Sequence, residues 1–119
     1  MVNAAEAALT AFKVPESTAA GDEAWKQYKL FVDRHGACAD GVLGEFWDDL
    51  NIQMLGKQWE AALRFAPLQG DTAFRRFVER FCGSTSSRKD VDLVRKKAAS
   101  QCTPRAAGFC KRIRKMLGV

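Results

Sequence analysis

The stretch VLGEFWDDLNIQM, residues 42–54, decides the fold. Val42, Leu43, Phe46, Trp47, Leu50 and Met54 recur every three or four positions, with two adjacent apolar pairs among them. That is the period of one helical face, not the strict alternation of a half-buried strand. The pattern resumes at Trp59, Leu63 and Ala66 and stops at Pro67. Gly56 sits at the join. A glycine inside a helix costs about 1 kcal/mol relative to Ala, so the sequence predicts a kink or a split there.

The same period extends toward both termini. Asn3, with Glu6 three residues on, caps a short Ala-rich helix carrying Leu9 and Phe12, and Val14-Pro15 ends it. Residues 14–21 read as a loop. Asp22 opens a helix with Trp25, Tyr28, Phe31 and Val32 on one face, closed by Gly36. Downstream, Asp71 opens a segment with Phe74, Phe77, Val78 and Phe81, followed by a Gly83–Ser86 turn. Ser87 and Asp90 form a capping pair for a helix that turns Val91, Val94 and Ala98 inward. Thr103-Pro104 has the form of a cap and a first-turn proline. Phe109, Ile113, Met116 and Leu117 make the apolar side of the last helix. Strand and hairpin signals are nearly absent. The expected fold is all-α: one compact bundle-like domain, residues 1–119, of five to seven helices. Residues 1–21 form the N-terminal helix and loop, and residues 22–119 the main bundle.

Four cysteines, Cys38, Cys82, Cys102 and Cys110, lie at well-separated positions. An even count in a small helical chain suggests disulfides and an oxidising compartment. With 47% apolar residues, three Trp and eight Phe, the core does not require such staples. Four buried thiols therefore stand as the alternative. A helix of about 14 residues separates Cys82 from Cys102 by roughly 21 Å, which disfavours that pair because bridged Cα atoms lie within about 7 Å. Cys102–Cys110 with Cys38–Cys82 is the favoured arrangement. It requires residues 103–107 to be irregular, with the last helix starting near Gly108. A helix running from Pro104 would put Cys110 about 9–10 Å along the axis. Cys38–Cys102 with Cys82–Cys110, or Cys38–Cys110 alone, would then fit better.

Catalytic signatures are missing. The single histidine, His35, belongs to a helix end, a structural place for a basic side chain. Pairing it with Cys38 as a nucleophile, or His35-x-x-Cys38 as half a zinc site, lacks further partners. Glu45, Asp48 and Asp49 read as a solvated helix face rather than an acid–base pair. No Gly-rich phosphate loop is present. The expectation is a non-enzyme with no cofactor and no metal.

Charge is the second informative feature. Residues 1–87 hold nine Lys/Arg against twelve Asp/Glu, whereas residues 88–119 hold ten Lys/Arg and only Asp90 and Asp92. Arg95, Lys96, Lys97, Lys111, Arg112, Arg114 and Lys115 form the candidate surface for an anionic partner, with a solubilising helix face as the plainer reading of the same charges. Phe109 is the sole aromatic among residues 88–119, so stacking platforms for bases are missing. An acidic protein partner is expected ahead of sequence-independent nucleic acid or anionic lipid.

The resulting expectation is an exported binding module, periplasmic or secreted, that acts as an inhibitor, an immunity-type antagonist or an effector. No signal peptide is visible in the first twenty residues. The alternative is a cytoplasmic nucleic-acid-associated or regulatory domain that uses its basic C-terminal third.

Overall fold

Residues 42–57 form a helix buried on almost every side, and the other elements pack around it. The computed structural model describes residues 7–9, 11–17, 19, 21–36, 42–65, 72–81 and 87–118. Among these there are six α-helices and no strand. They are α1 (Gly21–His35), α2 (Val42–Lys57), α3 (Trp59–Arg64), α4 (Thr72–Arg80), α5 (Arg88–Ser100) and α6 (Ala107–Met116). A 3-10 turn, Pro104–Ala106, leads into α6, and residues 7–9 and 11 are also helical. The all-α expectation holds. The radius of gyration is 13.2 Å, the value of a compact chain of this length.

Most residues of the predicted stripes are buried, while Phe31, Phe46, Phe77, Phe81 and Val91 are partly so. Trp25, Tyr28 and Val32 of α1, Leu43, Trp47, Leu50 and Met54 of α2, and Phe74 and Val78 of α4 enter one core with Val94, Phe109 and Ile113. Trp47 is fully buried, with its ring centroid 5.5 Å from Phe31 and 5.0 Å from Phe77. Such aromatic pairs add attraction beyond the area they remove from water.

Because α2 is central, it also buries its other sides. Ile52, Leu55 and Asn51 are fully enclosed. Tyr28 donates its hydroxyl to Asn51 Oδ1, and the Asn51 amide donates to the Phe81 carbonyl at 2.7 Å. Centrality also overturns the reading of Asp48 as solvated, since that residue is buried. Its neighbours Glu45 and Asp49 are exposed and half-buried.

The helix breaks at Gln58, two residues beyond the expected Gly56. Gln58 leaves helical geometry at φ −125°, ψ 40°, and its carbonyl and side-chain amide both find remote partners. The carbonyl accepts from Trp25 Nε1 at 3.0 Å. The amide donates to the carbonyls of Pro15 and Ser17 at 2.7 and 2.9 Å, which straps the N-terminal loop to the break. Gly56 serves packing instead, since a Cβ there would lie 3.3 Å from Leu93 Cδ2. Gly21 is the tighter case: a Cβ on it would stand 2.7 Å from Ala61 Cβ, so only glycine lets α1 start directly against α3. This start also places Asp22 inside the first turn, where it meets Arg64 at 3.4 Å, rather than at the cap.

Candidate anion-binding face

Helices α5 and α6 carry the basic residues, and their pairing follows from local chemistry. Ser87 accepts a hydrogen bond from the Asp90 backbone N–H, the cap expected for α5. Helix α5 then runs to Ser100, and the chain turns back through residues 101–106 into α6, which packs against α5. Trp59 Nε1 holds this corner by donating to the Gln101 carbonyl at 2.8 Å.

A disulfide closes the corner. Cys102 and Cys110 are bonded, with Cα atoms 6.3 Å apart. The two geometric demands that stood opposed are met together. Pro104 does begin a helical turn, but it is a 3-10 turn without a side-chain cap from Thr103. Ala106, at φ −104° and ψ 12°, then separates it from α6, which starts at Ala107. That break brings Cys110 back toward Cys102. The bond excludes the pairings Cys38–Cys102, Cys82–Cys110 and Cys38–Cys110. Cys38 and Cys82, with the Cys38–Cys82 staple and the His35–Cys38 pair, lie outside the described residues. Among the described residues no group of three or more His, Cys, Asp or Glu could hold a metal ion. His35 ends α1, as expected, with its ring 4.9 Å from Phe31.

The seven basic residues divide into two sets. Arg95 donates through Nε to the Leu117 carbonyl at 2.7 Å and pairs with Asp92 at 3.3 Å. It thereby closes the C-terminus of α6, where Gly118 adopts φ +78°. Lys97 donates to the Gly56 carbonyl at 2.6 Å. Arg112 places Nε 3.0 Å from both Glu79 oxygens, and Arg75 approaches the same carboxylate at 3.4 Å. These three cations join helices and do not form a free surface.

Lys96, Lys111, Arg114 and Lys115 have no ion pair or side-chain hydrogen bond among the described residues. Arg114 is half-buried and the three lysines are exposed. Lys111 and Lys115 are four residues apart and so share a face of α6. Met116, expected on the apolar side of that helix, is half exposed instead. No Asp or Glu occurs between residues 93 and 119, so nothing on α6 neutralises the four.

Sequence reasoning missed the cleft between the two helices. Three alanines (98, 99 and 107), Pro104, the Cys102–Cys110 pair, Thr103 and Arg114 line a recess of about 270 Å³. The Ala-Ala pairs at 98–99 and 106–107 were its signal, since small side chains leave room between packed helices. A second recess of about 470 Å³ shares Cys102 and Thr103 with the first and is otherwise lined by Glu60, Leu63, Arg64 and Gln101. Among the described residues no helix is long and apolar enough to cross a membrane. No protein-family model, curated protein or solved structure shows a significant match to the chain.

Proposed function

We propose that the protein is a non-enzymatic helical binding module that docks an acidic protein partner on the face built by α5 and α6. One observation carries this reading. The structural bonds of the C-terminal third consume Arg95, Lys97 and Arg112. Among the described residues, Lys96, Lys111, Arg114 and Lys115 stay unpaired, and the chain holds no carboxylate side chain beyond residue 92. Four uncompensated cations repel one another and are relieved by an anionic partner, which they also steer into contact. The Cys102–Cys110 bond supports a rigid surface and, with it, residence in an oxidising compartment.

The test is binding of a fluorescein-labelled twenty-residue polyglutamate, followed by anisotropy as salt is raised. Binding at low salt is expected, with loss in the variant Lys96→Gln, Lys111→Gln, Arg114→Gln, Lys115→Gln. Undiminished binding by that folded variant, or none by the parent, overturns the proposal. Tight, sequence-selective capture of a DNA duplex at physiological salt would replace it with the nucleic-acid reading.

A further inference from the structure

We infer that the cleft between α5 and α6 receives one aliphatic side chain of the acidic partner segment, the anchor about which the surrounding cations orient the rest. This deepens the docking reading above and rests on it. Four observations meet at this point. The recess, about 270 Å³, falls below the roughly 300–1,000 Å³ of small-ligand sites and suits a single side chain. Three alanines, a proline and the disulfide give it apolar walls, and Thr103 and Arg114 add polar groups beside them, so apolar contact leads without being exclusive. Arg114 stands in its lining. Lys96 lies three residues from Ala99, and Lys111 lies four from Ala107, so each is a helical neighbour of a lining residue.

A segment that places a Leu in the cleft and Asp or Glu on either side of it satisfies both features. The division of labour is physical. Charges at an exposed rim raise the association rate, whereas a desolvated anchor in a pocket slows dissociation. The disulfide is one wall of the cleft, so it holds the two helix ends at a fixed spacing for the anchor.

Two fluorescein-labelled peptides test the inference: fifteen glutamates, and the same chain with one central Leu. The Leu peptide should bind about tenfold tighter, the scale of burying much of one aliphatic side chain, with the gain in the dissociation rate. Ala99→Leu and, separately, Ala107→Leu fill the recess from exposed helix positions. In each, the two peptides should bind alike, with circular dichroism and thermal unfolding verifying the fold. Equal affinity of the two peptides for the parent protein, or a Leu advantage that survives both fillings, overturns the anchor while leaving the charged face in place. Failure of both peptides to bind overturns the docking reading and the anchor together.

Discussion

The Lys97 ammonium lies 2.6 Å from the carbonyl oxygen of Gly56, so a residue of α5 caps the end of the central helix α2. Terminal carbonyls of a helix lack partners within it, and a cation there also meets the negative end of the helix dipole. Lys96, one position earlier, makes no such bond among the described residues. Adjacent lysines therefore do different work. Lys97→Met should cost about 1–2 kcal/mol in urea unfolding, and Lys96→Met less than about 0.5 kcal/mol. Equal losses would show that the cap contributes nothing.

Trp47 is the largest single anchor of α2. Trp47→Ala should cost about 3–5 kcal/mol, the range for truncating a buried aromatic. Its indole N–H meets no acceptor among the described residues, so Trp47→Phe loses volume but no hydrogen bond. That variant should fall well short of the Ala variant in urea denaturation.

The Cys102–Cys110 bond closes a short loop, and chain entropy assigns it about 2.5 kcal/mol. Replacing both cysteines by Ser should lower the urea midpoint accordingly while leaving the far-UV circular dichroism helical. Unreduced peptide mapping should find the fragments carrying residues 102 and 110 joined. A free thiol at either position in the native protein would contradict the corner described above.

Gly21 tests the contact between α1 and α3. A methyl added at this position would stand only 2.7 Å from Ala61 Cβ, so something must shift, and overpacking of this kind costs roughly 1–3 kcal/mol. Gly21→Ala should therefore destabilise, although Ala is the better helix former. The double variant Gly21→Ala, Ala61→Gly should recover part of the loss, and its failure to do so would place the strain elsewhere.

Neutralising Lys96, Lys111, Arg114 and Lys115 by Gln should change stability by less than about 1 kcal/mol, as unpaired charges at three exposed positions and one half-buried position contribute little. Glu79→Gln is the contrasting case. It leaves Arg112 and Arg75 facing a neutral amide at a nearly buried site, and should cost more than the quadruple surface change. The comparison in one urea series separates structural cations from those available to a partner.

Much of this was legible in the chain because the signals are local. Helical period, the Ser87 cap and the apolar stripes of α1, α2 and α4 each depend on residues within about a turn of one another. These set the helical class and most of the core, and they made Cys102–Cys110 one of a small number of pairings. Contacts distant in sequence decided the rest. Arg112 finds Glu79 33 residues away and Lys97 finds Gly56 41 residues away, and no periodicity encodes such meetings. Hence the helix breaks at Gln58, where three remote groups use its polar atoms, rather than at Gly56. Asp48 is buried because α2 is enclosed by the elements around it, and the cleft of alanines exists only where α5 and α6 lie side by side. Composition set the net charge of the C-terminal third, but only packing decided which cations were left unpaired among the described residues, because a charge is free only after every neighbour that folding brings within reach has been counted.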